Sequence, residues 1–283
     1  MEVKMKLGLL GPDGTFTAQA GMDYIQRRQI EPEIRWYKRI EDCFDGVDNV
    51  EVDMALVPIL NSTSRAAWIN ETLNKLKGNG AMIYDEQILP IRHNLAALPG
   101  VRLEDVMYIH SKDKAFSQCS RYISTLEVEL MDEPSTAAAG KLITKLKDRN
   151  RAAVVPLRAV GLYRLEILKQ DIQDDPKNKT RFIVISKYDH EPTGNDKTTA
   201  IYEFKDVERP CLLYAVIKEL AERGISICYL QSIPKDGELY EFTFYMDLKG
   251  HRNDKYINEA LKAIESNKNL NYWRVLGSYP IFG

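Results

Sequence analysis

Apolar and polar positions follow two different orders along this chain. Up to about residue 188, short continuous apolar runs alternate with stretches of helical spacing. "KMKLGLL" is stopped by "GPDG", and "TFTAQAGMDYIQRR" follows with helical spacing. "VDMALVPIL" is a second continuous run, of the kind a buried parallel strand gives. "NSTSRAAWINETLNKL" switches to helical periodicity, with Ala67, Leu73 and Leu76 on the buried side. "AMIYDEQILPIRHNLAAL" reads as paired strand segments. "LEDVMYIHSKDKAFSQCSRYIS" reads as strand, loop and helix, with Gln118 at the helix start. "EPSTAAAGKLITKLKDR" is a helix capped by Ser135 or Thr136. "AAVVPLRAVGLYRLEILKQDIQD" supplies a strand and a short helix. "DDPKNKTRFIVIS" then runs a polar turn into four strand formers, Phe182 to Ile185. This βα alternation predicts a layered α/β domain over residues 1–188.

Residues 189–198, "DHEPTGNDKT", hold almost nothing apolar and read as a linker. Over residues 199–283 the order changes to strand, helix, strand, strand, helix, strand. That βαββαβ order predicts a ferredoxin-like module.

Composition narrows the function classes. A net charge of −2 supplies no basic field, which argues against nucleic acid as a partner. No apolar run approaches the length of a secretory core or a membrane span, so the cytoplasm is the expected location, with no membrane partner. Cys43, Cys119, Cys211 and Cys228 are scattered and read as reduced and mostly buried. The four histidines are equally dispersed, and no His/Cys spacing argues for a metal.

Three loops share one physical design. Gly11–Thr17, Asn61–Ser64 and Glu133–Ala137 each follow an extended segment and open a helix. Free N–H groups and the positive dipole end favour an anion there, with hydroxyls at Thr15, Ser62 and Ser135 to help. Each loop alone reads equally well as a plain helix cap. "GPDGT" matches neither nucleotide-binding glycine pattern. Gln118 can be an ordinary surface residue or an amide aimed into a cleft. Thr180 and Arg181 can be strand-edge filler or a polar pair delivered to a site. The residues themselves point to a small-anion-binding α/β domain carrying a βαββαβ module.

Five motifs resemble the prephenate dehydratase family, over nearly the full chain. "GPDGTFTAQA" resembles its opening motif and "VPILNS" its VPIENS. "FSQC" resembles its A-x-Q-C, "PSTAAAGKL" its STA-rich helix start, and "DDPKNKTRFIVIS" its TRF signature. The tail resembles an ACT regulatory domain. The resemblance implies a two-lobed catalytic domain like a type II periplasmic binding protein, with the active site between lobes. It implies decarboxylation and dehydration of prephenate to phenylpyruvate, with no cofactor or metal. Thr180 would assist departure of the hydroxyl, with Asn61 and Gln118 as polar partners. Thr15, Ser62, Ser135 and Arg181 would hold the substrate, and Phe182 would shape the pocket. Leu213 and Ser232 would fall in the site for an aromatic amino acid effector. A homodimer or homotetramer is expected.

The chain departs from the family pattern in places. Leu60 replaces a usual Glu and Arg65 a usual Gly, and "SKDKAFSQC" replaces an HPQ-type lead into Gln118. In the tail, Cys211 and Leu212 are bulkier than the usual Gly and Ala, and Gln231 and Ile233 replace a charged pair. Two alternatives remain open at this point: a related decarboxylase or arogenate dehydratase, and a non-catalytic two-lobed ligand sensor.

Overall fold

The computed structural model of the chain describes residues 4–62, 67–78, 80–205, 212–235 and 241–282. Arg65, Thr63, Ser64 and Cys211, singled out above, lie outside the described residues, so whether the Asn61–Ser64 loop opens a helix is left there.

The first lobe is a sheet wrapped by helices. Its elements are β1 (Lys6–Leu10), α1 (Phe16–Arg28), β2 (Glu33–Tyr37), α2 (Ile40–Asp48), β3 (Met54–Asn61), β4 (Ala67–Trp68), α3 (Asn70–Gly78), β5 (Met82–Pro90) and β11 (Lys179–Ser186). The strand order is β2-β1-β3-β11-β5, with β4 against β3. β1 runs parallel to β2 and β3, and α1 and α2 both pack on β1 and β3. Two-sided covering explains why "ALVPI" is buried without alternation. Ala67 belongs to β4 rather than to the expected helix, which opens at Asn70; Leu73 and Leu76 are buried on that helix.

The second lobe holds β6 (Asn94–Ala97), β7 (Tyr108–Ser111), β8 (Glu129–Asp132), β9 (Arg151–Val155) and β10 (Glu166–Lys169), in the order β10-β6-β9-β7-β8. Its helices are α4 (Asp113–Ser117), α5 (Ser120–Ile123), α6 (Thr136–Leu146) and α7 (Leu157–Leu162). Leu95, Ile109 and Val154 pack with Phe116 and Cys119 in one apolar cluster; Ala153 and Val155 pack with Ala139 and Ile143 in another. Two readings change here. β5 and β6, expected as a pair, belong to different sheets, because the chain crosses between lobes at residues 91–93. β8 and β10 were absent from the expected elements.

The crossings run side by side. Ile91 N–H donates to Asn178 O (2.9 Å) and Ile172 N–H to His93 O (2.9 Å). Two α/β lobes joined this way are the arrangement of a type II periplasmic binding protein.

The C-terminal elements are β12 (Asp196–Phe204), α8 (Leu212–Ala221), β13 (Ile227–Pro234), β14 (Phe242–Lys249), α9 (Lys255–Glu265) and β15 (Leu270–Pro280). The sheet order β13-β14-β12-β15 is antiparallel throughout, the ferredoxin-like pattern. β12 opens at Asp196, inside the stretch expected to be linker. The Asp196 carboxylate accepts from Thr193 N–H (2.8 Å), Gly194 N–H (3.0 Å) and the Thr193 hydroxyl (2.6 Å), so polar composition here builds a pinned turn.

By internal contacts the chain divides into residues 1–72 with 87–182, and residues 73–86 with 183–283. Cys43 and Cys119 are buried free thiols, pushed up to about 12 by burial; Cys228 is free but exposed. Among the described residues no helix is long and apolar enough to cross a membrane.

Candidate active site

Within the first unit, segments of both lobes enclose a cleft of about 680 Å³. Asn61 ends β3 and Thr180 stands at the second position of β11, both buried. The Asn61 side-chain amide donates to Thr180 Oγ1 (2.7 Å) and to Asn178 Oδ1 (3.0 Å), with Lys179 O at 3.3 Å. A backbone carbonyl can only accept, so Lys179 O fixes which end of the Asn61 amide faces this corner. Thr180 Oγ1 therefore receives a hydrogen bond, and its own proton is left to point elsewhere. Thr180 lines the cleft.

Strand alternation sorts the TRF segment. Thr180 and Phe182 share one face and both line the cleft; Arg181 between them faces the other way and is not in the lining. Of the expected Thr180–Arg181 pair, the lining holds Thr180 alone. Ser62 is also elsewhere: its hydroxyl accepts from Lys179 N–H (2.8 Å) and it donates its own N–H to Lys179 O (2.8 Å), which staples β3 to β11. Leu60 is not among the lining residues.

Gln118 does not start a helix. It caps the end of α4, and its carbonyl accepts from Asp174 N–H (2.7 Å), tying it to the returning chain. Its Oε1 lies 3.0 Å from Nε2 of His93. His93 is 1% exposed, and its ring stands edge-on to Phe16 at 5.0 Å between centroids. Burial pulls the imidazole below its ordinary pKa, opposed by the Gln118 hydrogen bond, so it is neutral at pH 7. Where the Gln118 oxygen is that partner, Nε2 carries the single proton; among the described residues Nδ1 is buried without a partner. The NH₂ end of Gln118 is then the end left to donate. Sequence reasoning missed His93; its only signal was the polar pair Arg92–His93 between the apolar runs "ILPI" and "NLAAL".

Two helix N-termini also face the cleft. Ser135 caps α6 by accepting from Ala138 N–H (3.0 Å), and its hydroxyl proton has no partner among the described residues. Thr15 caps α1 by accepting from Ala18 N–H (3.2 Å), but its proton already goes to Pro12 O (3.1 Å). The first-turn N–H groups after each cap are the natural anion donors. The Ser135 loop is held from behind. Arg151 donates to Nε2 of His110 (2.8 Å), which forces the proton onto Nδ1, and that N–H donates to Glu133 Oε1 (2.9 Å).

Leu213 and Ser232 are far from this chemistry in kind: Leu213 packs on the apolar core of the C-terminal module and Ser232 is exposed on its edge strand β13.

Residues 7–190 match the family model described as prephenate dehydratase. The chain is 32% identical to a bifunctional chorismate mutase/prephenate dehydratase of Aquifex aeolicus, over 99% of this chain and 75% of that protein. It is 31% identical to a prephenate dehydratase of Methanocaldococcus jannaschii, over 96% of each. The crystal structure of the Arthrobacter aurescens prephenate dehydratase in complex with L-Phe superposes with a TM-score of 0.84, at 28% identity, over 98% of this chain and 90% of that one. With the family pattern running through both lobes and the cleft between them, the chain belongs to the prephenate dehydratase family.

Proposed function

We propose that this chain is a lyase that converts prephenate to phenylpyruvate, water and carbon dioxide. The C–C bond to the ring carboxylate breaks, its electron pair moves through the ring, and the C–O bond to the ring hydroxyl breaks at the far side. One proton is taken up overall, and it ends in the water released. The observation that carries this reading is the Asn61–Thr180 hydrogen bond, which aims a hydroxyl donor into the cleft. A threonine hydroxyl is a weak acid, far from the pKa that suits proton transfer at neutral pH. The ring becomes aromatic as the bonds break, so stabilising charge on the departing oxygen is sufficient work. Gln118 donates a second hydrogen bond, and Ser135 with the opening turns of α1 and α6 holds the carboxylates. Phe182 closes the floor, and the apolar lining limits water.

Residues 1–188 are assigned to catalysis and residues 199–283 to an ACT-type regulatory module that takes an aromatic amino acid near Leu213 and Ser232. The L-Phe complex of the Arthrobacter relative supports this. A cytoplasmic homodimer or homotetramer fits an edge strand, β13, with one side unpaired among the described residues. Purified protein given prephenate should form phenylpyruvate and carbon dioxide in equal amounts. Carbon dioxide without loss of the ring hydroxyl would establish a decarboxylase instead, and binding without turnover a sensor.

A further inference from the structure

The cleft lining contains three ammonium groups, Lys38, Lys112 and Lys114, and among the described residues no carboxylate. Lys112 precedes α4 and Lys114 lies on it, both exposed, in the "SKDKAFSQC" lead that departs from the family pattern. Neither makes an ion pair or a side-chain hydrogen bond among the described residues. The acids on the segments that bring the lining residues together have other partners. Asp132 accepts from Asp113 N–H (2.8 Å), and Asp174 accepts from Ser120 and from Arg121 N–H. Glu133 holds His110, and Asp13 is paired with Arg158. Asp113, between the two lysines in sequence, is exposed and is not in the lining. None of these acids lines the cleft, so the ammonium groups are the charged side chains that a ligand there meets.

We infer that Lys112 and Lys114 set the substrate preference of this cleft, selecting the doubly anionic keto acid over its amino-acid counterpart. The inference rests on the dehydratase reading above. Prephenate carries two carboxylates and a keto group. Arogenate carries the same carboxylates and an ammonium in place of the keto oxygen. In a cleft with three ammonium groups and no described carboxylate, the carboxylates are attracted while the added ammonium meets only like charge. Lysine suits this task as a mobile point charge at an open mouth, where it steers an anion without fixing its angle.

The test compares product formation from prephenate and from arogenate in the intact chain and in K112Q/K114Q, with K112R/K114R as the charge-preserving control. Both positions are exposed, so the melting temperature should not move. The glutamine variant should raise KM for prephenate about tenfold, with the loss falling on KM rather than kcat. Its preference for prephenate over arogenate should narrow by about the same factor, and the arginine variant should restore both. Added sodium chloride should raise KM for prephenate more in the intact chain than in the glutamine variant. An active intact chain whose KM and preference are unchanged in K112Q/K114Q overturns the inference, as does an intact chain that prefers arogenate; both leave the dehydration reading standing. An intact chain that makes product from neither substrate overturns that reading and this inference together.

Discussion

A hydroxyl group has one proton to give, and in this cleft Asn61 decides where the proton of Thr180 goes. Thr180→Val keeps the branched shape at a buried strand position and removes only the hydroxyl. One N–H of Asn61 loses an acceptor, a cost of about 1–2 kcal/mol, while kcat should fall about 10²–10³-fold. Circular dichroism and initial rates together check this; full activity in a folded variant would return Thr180 to strand filler. Asn61→Asp reverses the local polarity. A carboxylate there faces two carbonyl oxygens at hydrogen-bonding distance, Asn178 Oδ1 and Lys179 O, and draws the Thr180 proton to itself. Activity should fall at least as far as in Thr180→Val, with a loss of about 2–4 kcal/mol in stability. His93 adds a pH signature. Its folded pKa lies below the ordinary value of about 6.5, so the unfolded chain binds the proton first and stability is lost as pH falls below that value. The melting temperature of His93→Asn should decline less between neutral pH and pH about 5.5 than that of the intact chain. Thr180, Asn61 and Gln118 were legible as letters in motifs. The separation of Arg181 from Thr180 was not legible because motif letters ignore the period-two alternation of a strand, and His93 was missed because its partner is 25 residues away.

At the scale of elements, helix ends do most of the positioning. Ser135 and Thr15 were readable as caps because a cap is local: a hydroxyl three residues before the N–H it satisfies. Sheet membership was not readable, since β5 and β6 are each good strands and nothing in either says that the chain changes lobes between them. The end of α3 shows the same division. Its last carbonyls are met by residues nearly two hundred positions later: Arg274 donates to Leu76 O (2.7 Å) and Tyr272 to Lys77 O (2.7 Å), while Arg274 also donates to Ala81 O (2.9 Å) just beyond the helix. Arg274→Met keeps much of the side chain's length and removes the donors. Leu76 O and Ala81 O each lose a donor, and chemical denaturation should register a loss of about 1–3 kcal/mol. A variant as stable as the parent would show that water replaces the arginine at no cost.

For the molecule as a whole, composition and contacts draw the boundary in different places. Composition changes at residues 189–198, yet residues 73–86 make their contacts with the C-terminal module. The reasons are specific. Glu86 is 1% exposed, and its carboxylate pairs with Lys197 (2.7 Å) and accepts from Phe282 N–H (3.1 Å). Gly277 lies so close to β5 that a side-chain carbon there would stand 2.2 Å from Ile83 O, so only glycine permits the approach. A fragment ending at residue 188 would keep Glu86 and Ile83 but lose Lys197, Gly277 and Arg274. Stripping the partner from a buried charge alone costs about 3–5 kcal/mol, a large share of the about 5–15 kcal/mol that holds a typical domain together. The fragment should therefore bind a hydrophobic dye and melt without a sharp transition, even though every residue assigned to catalysis is present. The intact chain should give one calorimetric transition, because its second unit is built from both sides of the linker. A fragment that melts cooperatively and turns over prephenate would mean that residues 73–86 need nothing from the C-terminal module, and that the boundary lies where the composition changes.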